Sequence, residues 1–283
     1  MLERWMEIAV ETAHVGGRIL LEHYGRVDPA SIHPKRLGDW VSAADQASES
    51  AIIEHLKRAA PGHDILTEET GLITGDASSP FRWIIDPLDG TTNFLRHFPV
   101  WAVSVALEAR DDLALKWGTI VAGAIHIPPL NQTYWAGSNC GAFCDGRRIS
   151  IGPGRPFDEC LLATGFPFRT RELIDSYTEL FAKLLKLCAD VRRPGAVAVD
   201  LCNVAAGTFD GFWELDLAPW DIAAGSLIIK EAGGMVSNFQ GGDDFLTSGD
   251  IIAGHPKIFP QLVRLVRESF PRPRGVDKAP KPE

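Results

Sequence analysis

From Leu2 to Tyr24 the apolar residues Leu2, Trp5, Ile8, Ala9, Val15, Ile19 and Leu20 recur near helical spacing, which predicts an amphipathic helix. A second helix is expected from Ala44 to Arg58, stopped by Pro61-Gly62. The apolar runs then shorten. Ile65-Leu66, Trp83-Ile84-Ile85, Val100 to Leu107 and Thr119 to Ile127 read as strands, and turn signals at Gly137, Gly141 and Asp145-Gly146 predict further antiparallel strands up to Ile151. From Leu161 the grammar changes. Strand-like Leu161-Leu162-Ala163 precedes a helix over Arg171 to Ala189, and short alternations of helix and strand follow. Ala218-Pro219-Trp220-Asp221 introduces an apolar helix from Ile222 to Glu231, stopped at Gly233-Gly234 because glycine takes the left-handed conformation cheaply. A last helix is expected over Pro256 to Glu268. The proline-rich tail, 271–283, has nothing to bury and is expected to be disordered. No internal repeat or low-complexity linker divides the chain, so two subdomains sharing one interface are expected, residues 1–152 and 153–270.

Composition narrows the function class. With 283 residues, 45% of them hydrophobic, a sizeable core is within reach. No run approaches 18 apolar residues, so a membrane-spanning helix is not expected. The start, Met1-Leu2-Glu3-Arg4-Trp5-Met6-Glu7, puts acids where a signal peptide needs a basic and then an apolar stretch, so the expected compartment is the cytoplasm. Net charge is −9, which disfavours a general nucleic-acid role and makes any clustering of acids around a cation informative. The five cysteines, 140, 144, 160, 188 and 202, lack the paired spacing of a zinc site and are expected to be reduced, mostly buried thiols.

Acids concentrate beside glycine or at element ends in four places: Asp39 with Asp45, Glu68-Glu69, Asp86-Pro87-Leu88-Asp89-Gly90-Thr91-Thr92, and Trp220-Asp221. Singly, each has a bland explanation. Asp-Pro and Asp-Gly are turn pairs, Glu68-Glu69 reads as a solvated doublet, Asp45 as a first-turn acid favoured by the helix dipole, and Asp221 as a helix N-cap. Together, each beside an apolar run, they are hard to explain as turns. The third place is the most telling. Asp86 and Asp89 arrive where the strand is expected to end, Pro87 forces a turn, and Gly90-Thr91-Thr92 opens a short helix whose first amides are free for an anion. Paired carboxylates repel one another and titrate upward unless a hard cation lies between them. A magnesium ion bridging carboxylates and a phosphate satisfies acids and amides together.

Trp83-Ile84-Ile85-Asp86-Pro87-Leu88-Asp89-Gly90-Thr91-Thr92-Asn93-Phe94 resembles the first signature of the inositol monophosphatase family, and Trp220 to Gly225, continuing to Glu231-Ala232-Gly233-Gly234, resembles the second. Gly38-Asp39-Trp40-Val41-Ser42-Ala43-Ala44-Asp45, Thr67-Glu68-Glu69, Gly141-Ala142-Phe143 and Asp210-Gly211-Phe212-Trp213-Glu214 lie in the family's order, and the second half is most similar to the bacterial branch. The resemblance implies a layered αβαβα sandwich, a magnesium-dependent phosphomonoesterase acting on inositol monophosphate, and a homodimer. It implies one Mg²⁺ on Glu68, Asp86 and the Leu88 carbonyl, a second on Asp86, Asp89 and Asp221, and a third, weaker one through Glu68. Gly90 and Thr91 are implied to bind phosphate, and Asp45 with Thr91 to orient the attacking water. Asp89, Glu214 and the backbone near Gly195 and Ala196 are implied to contact the alcohol. Most metal ligands thus fall in the first subdomain, with Asp221 and the alcohol contacts in the second. Ser42 stands where threonine is usual and keeps the hydroxyl, while Val197 and Val199 stand where smaller residues are usual. Histidinol phosphate, fructose 1,6-bisphosphate and a 3′-phosphoadenosine nucleotide are alternative substrates on the same metal core. Arg169, Arg171, Arg192 and Arg193 are available to a second phosphate, or to a surface or dimer contact. A regulatory protein that contacts transcription machinery through a basic dimer edge is the alternative of a different class. Retention of all four acids and Thr91 favours catalysis over it.

Overall fold

The computed structural model describes residues 2–27, 32–36, 39–111 and 116–271. Gly38 and the tail expected to be disordered, apart from Pro271, lie outside the described residues. The chain opens with α1 (Leu2–His23), a hairpin of β1 (His33–Arg36) and β2 (Asp39–Val41), and α2 (Ala43–Ala59). There follow β3 (Asp64–Thr67), β4 (Gly71–Ile73), β5 (Phe81–Asp89), the short α3 (Thr91–Leu95), β6 (Ala102–Asp111), β7 (Lys116–Ile127), β8 (Gln132–Gly137), β9 (Gly141–Cys144) and β10 (Arg147–Ile149). The second half contains β11 (Leu161–Thr164), α4 (Ile174–Leu185), β12 (Asp190–Arg192), α5 (Val197–Ala205), β13 (Gly211–Glu214) and α6 (Pro219–Glu231). It closes with β14 (Met235–Ser237), α7 (Phe245–Ser248), β15 (Ile251–Gly254) and α8 (Phe259–Ser269).

Two sheets organise these elements. One has eight strands in the order β10-β9-β8-β7-β6-β5-β3-β4, antiparallel except where β3 runs parallel to β5. The other has five in the order β12-β11-β13-β15-β14, with β11 parallel to both β12 and β13. Side chains alternate between sheet faces, and the alternation sorts them into three cores. Trp83, Ile85, Val103 and Val105 pack on Ile8, Leu20, Ile52 and Leu56 of α1 and α2. Ile84, Ala106 and Ile125, from the opposite face, meet α5 and α6, whose other side packs on Phe212, Ile251 and Ala253 of the smaller sheet. Leu162, Trp213 and Ile252 point outward to Leu180 and Leu184 of α4 and Leu262 and Val266 of α8. The layers are therefore α, β, α, β, α. Helix α6 lies between two sheets and is buried at every residue from Asp221 to Ile229, which is why its sequence is apolar on all sides.

Four expectations change. The strand read over Trp83-Ile84-Ile85, with both aspartates at its end, extends from Phe81 to Asp89, because an irregularity in pairing between Asp86 and Asp89 absorbs the proline that lacks an amide donor. The helix expected over Arg171 to Ala189 is α-helical only from Ile174 to Leu185, after a 3₁₀ turn at Arg171–Leu173. Asp221 is not an N-cap; Ala218 occupies that position and Asp221 stands three residues inside the helix. Of the five unbridged cysteines only Cys160 and Cys202 are buried. Among the described residues no helix is long and apolar enough to cross a membrane.

Candidate active site

The end of β5 and the start of α3 form the floor of the site. Gly90 takes the left-handed conformation (φ 87°), which a side chain would strain, and turns the chain from strand into helix. The first helical bond of α3 runs from Phe94 N to Gly90 O at 3.0 Å. The amides of residues 91 to 93 thus precede any intrahelical partner. Asp86, Leu88, Asp89, Gly90 and Thr91 line a cavity of about 310 Å³. Glu68, from the turn after β3, reaches it from one side, and Asp221, Glu214, Gly195 and Ala196 reach it from the second half.

The aspartates are held by main-chain amides. Asp86 Oδ1 accepts from Leu88 N at 3.0 Å, and Asp221 Oδ2 accepts from Ala218 N at 2.7 Å. Asp89 accepts from Val197 N at 3.2 Å and Ala198 N at 2.7 Å. It thereby caps α5, a helix from the other half of the chain that has no side-chain cap of its own. Burial raises the proton affinity of Asp86 well above that of a free carboxylate, and the charges of Glu68, Asp89 and Asp221 add to it. Burial, with Asp221 close by, pushes Asp89 up to about 7 against the pull of its two amides. Among the described residues no three His, Cys, Asp or Glu side chains are grouped tightly enough to hold a metal ion as they stand. The acids share one cavity and one electrostatic field without forming a closed cage. An oxygen-only set in mutual repulsion suits a hard divalent cation such as Mg²⁺ and does not suit zinc.

Asp45 lies behind this floor, almost fully buried in the first turn of α2. Its Oδ2 accepts from Ser42 N at 3.0 Å and from Ser42 Oγ at 2.7 Å, so the hydroxyl that serine shares with threonine is in use. Its Oδ1 accepts from Thr91 Oγ1 at 3.1 Å, and that hydroxyl also lies 3.2 Å from Leu88 O. Burial raises Asp45 to about 6, with the Ser42 bonds opposing and the Glu68 charge reinforcing.

Glu214, on the last position of β13, also lines the cavity and is raised to about 8. Burial is the main cause; Arg193 opposes it, Asp221 and Asp89 add to it, and Arg169 opposes. Arg193 lies over the Phe166 ring at 5.1 Å and Arg169 over Phe168 at 5.2 Å, and both line the cavity. The other two arginines do not. Arg192 pairs with Asp190 on the surface, and Arg171 sits on the 3₁₀ turn before α4. Val197 lines the cavity, whereas Val199 is packed in the core between the sheets.

Two residues that sequence reasoning missed, Glu49 and Asn93, support the site, and a third, Asp200, is buried near it. Glu49, buried in α2, accepts from Thr67 Oγ1 at 2.6 Å, Glu69 N at 2.9 Å, Thr70 N at 3.0 Å and the Thr70 hydroxyl, and so fixes the turn that carries Glu68. Asn93 donates to Val100 O at 2.7 Å and Pro194 O at 3.0 Å, tying the floor to the turn at Gly195. Asp200, buried in α5, has an Oδ1 with no hydrogen-bond partner among the described residues. Its proton affinity is raised by burial and then by Glu214.

The sequence profile of the inositol monophosphatase family matches residues 1–270. The chain belongs to that family. It is 38% identical over 265 residues to the Nus factor SuhB of Escherichia coli, covering 94% of this chain and 96% of the relative. Among solved structures, the extragenic suppressor protein suhB of Bartonella henselae superposes with a TM-score of 0.87 at 39% identity, covering 93% of this chain and 98% of that one. An inositol monophosphatase from Anabaena superposes at 0.81 with 34% identity, over 94% and 96% of the two chains. These likenesses support a phosphatase on the mixed α/β fold described above. The inositol monophosphatase family signatures fall in this chain on the β5–α3 floor and the start of α6, where the cavity lies.

Proposed function

We propose that the protein is a magnesium-dependent phosphomonoesterase that hydrolyses inositol 1-phosphate to inositol and phosphate. The observation that carries this reading is the meeting of Glu68, Asp86, Asp89 and Asp221 in one cavity with Gly90 and Thr91. Ionised, the four acids carry four negative charges, which two Mg²⁺ ions would balance. Glu68, Asp86 and the Leu88 carbonyl are assigned to one ion, Asp86, Asp89 and Asp221 to a second, and Glu68 to a weaker third. Bound there, the ions would supply Lewis-acid polarisation of phosphoryl oxygen, activation of water and charge stabilisation of the leaving alkoxide.

The chain's own residues account for the rest. Main-chain amides at Gly90 and Thr91 hold the phosphate. A water against Thr91 Oγ1 gives up its proton along the Thr91–Asp45 hydrogen bond. With a pKa of about 6, Asp45 is ionised at neutral pH yet more basic than an exposed aspartate. Glu68 lies close enough to Asp45 to reinforce that basicity. Glu214, Asp89 and the backbone of Gly195 and Ala196 orient the alcohol. Among the described residues no cysteine or histidine lines the cavity, and with water as the nucleophile the reading needs no covalent phosphoenzyme. A cytoplasmic homodimer belongs to the same proposal.

Phosphate release from inositol 1-phosphate, histidinol phosphate, fructose 1,6-bisphosphate and a 3′-phosphoadenosine nucleotide, measured side by side in Mg²⁺, tests it. The highest kcat/KM is expected on inositol 1-phosphate. A higher value on another member replaces the substrate, and no release from any of them overturns the phosphatase reading.

A second, compatible reading rests on the name of the E. coli relative: a Nus factor, hence a contact with transcription machinery. Of the four arginines considered, Arg171 and Arg192, the latter paired with Asp190, lie outside the cavity and are assigned to such a contact. Co-purification with purified transcription complexes, lost in an Arg171→Ala, Arg192→Ala protein that keeps its phosphatase activity, is the expected result.

A further inference from the structure

The carboxylate of Glu214 occupies the space that a side chain at position 165 would take. Strands β11 and β13 run parallel with Thr164 opposite Trp213. The next residue along each, Gly165 and Glu214, are therefore lateral neighbours on one face of the sheet. A Cβ placed on Gly165 would stand 1.9 Å from Glu214 Oε1, 2.0 Å from Cδ and 2.2 Å from Oε2. All three distances are far inside van der Waals contact, so the whole carboxyl group rests against the bare α-carbon. The strand end beneath it is fixed. Thr164 is buried, and its Oγ1 lies 2.8 Å from Trp213 O and 2.9 Å from the Tyr177 hydroxyl. On the cavity side, Arg193 over the Phe166 ring and Arg169 over Phe168 bring positive charge toward the same carboxylate.

We propose that Gly165 is the positioning residue that sets selectivity for a hydroxylated leaving group: by presenting no side chain it seats the Glu214 carboxyl group where it meets the alcohol. The inference rests on the reading of Glu214 as acceptor for the alcohol's hydroxyls. Its physical basis is local. The atoms that a methyl at 165 would meet are the tip of a flexible side chain, and the Gly165 backbone lies outside the left-handed region. Alanine is therefore accommodated by expelling the carboxylate, while the fold and the metal acids stay in place.

The test compares the full-length wild type, Gly165→Ala, Glu214→Gln and the double variant on inositol 1-phosphate and on phenyl phosphate, whose leaving group carries no ring hydroxyl beyond the one released. Gly165→Ala is expected to raise KM for inositol 1-phosphate roughly tenfold, the scale of one lost hydrogen bond, with kcat far less affected. Its constants for phenyl phosphate and its thermal midpoint should stay near wild type. The double variant should be no worse than Glu214→Gln alone, since both changes remove one interaction. Wild-type selectivity in Gly165→Ala, or losses that multiply in the double variant, would overturn the proposal. If Glu214→Gln itself leaves selectivity unchanged, the proposal falls together with the reading of Glu214, a pattern distinct from failure at Gly165 alone. Independently of any activity, a crystal structure of Gly165→Ala is expected to show the Glu214 carboxyl displaced, and finding it in its original seat overturns the proposal.

Discussion

Asp45 divides its two oxygens between structure and chemistry. Oδ2 is occupied by the Ser42 amide and hydroxyl, which close the first turn of α2, while Oδ1 faces Thr91. Thr91→Ala removes the hydroxyl between that oxygen and the water but leaves every proposed metal carboxylate in place. Turnover is expected to fall on the order of 10²–10⁴-fold, the usual effect of losing a general-base path. The Mg²⁺ concentration for half-maximal rate should stay unchanged, and rescue by added metal would show that Thr91 acts otherwise. Asp221→Asn should fail differently. The amide oxygen can still accept from Ala218 N, so α6 keeps its start. What goes is one negative charge from the shared cavity. Turnover and metal affinity should both fall, and excess Mg²⁺ should recover part of the loss in a rate-against-Mg²⁺ series.

At the scale of elements, the turn carrying Glu68 is shaped by a residue in another element. Glu49→Ala would strip acceptors from two amides and two hydroxyls at once. Each donor left unsatisfied costs about 1–3 kcal/mol when buried. A thermal midpoint several degrees lower and a raised Mg²⁺ requirement are expected; an unchanged Mg²⁺ requirement would detach Glu49 from the site. Under α1, His14 and His126 meet with ring centroids 4.5 Å apart, and both reach Thr133 Oγ1. Burial lowers both, His126 to about 4, with His14 and Arg18 among the charges opposing its protonation and Asp145 favouring it. The unfolded chain takes up these protons near 6.5, the ordinary value for histidine, while the native state refuses them. Their contribution to stability is therefore complete above that pH and is lost as pH falls toward 4. Thermal midpoints measured down this range should decline less steeply in a His14→Gln, His126→Gln protein. The contrast between legible and illegible elements has the same origin. Strands β5 to β7 alternate clearly, and α1 and α2 carry their own periodicity. Val197-Ala198-Val199 carries two β-branched residues, yet it opens α5, whose first amides donate to Asp89, 108 residues before Val197. Glu49 and Gly165 were likewise invisible, since their meaning lies in partners brought up by chain reversal and strand register.

For the whole molecule, the cavity is where the two sheets and the helices between them meet, so site and fold share their electrostatics. The motif residues were legible because their chemistry is local: an acid, a proline, an acid and a glycine in a short span. The cavity they share with Asp221 and Glu214 was legible only through the family resemblance. Asp45, Asp89 and Glu214, raised to about 6, 7 and 8, bind protons in the native state that the unfolded chain has already released. Stability of the metal-free protein from these groups is full below the unfolded carboxylate range and is lost as pH rises through those values. A divalent cation that binds only the native arrangement opposes that loss, by about 2.7 kcal/mol at a hundred times its Kd. The gap in thermal midpoint between Mg²⁺-loaded and metal-free protein should thus widen from mildly acidic to mildly alkaline pH, and a gap independent of pH would separate the metal from these acids. The central claim, that this cavity is a magnesium-dependent phosphatase centre, is tested most directly by titrating Mg²⁺ into the metal-free protein while phosphate release from inositol 1-phosphate is followed. The rate should rise from zero to saturation with Mg²⁺ and fall competitively when Ca²⁺, with its longer and more numerous oxygen contacts, is added; full turnover in excess chelator would contradict it.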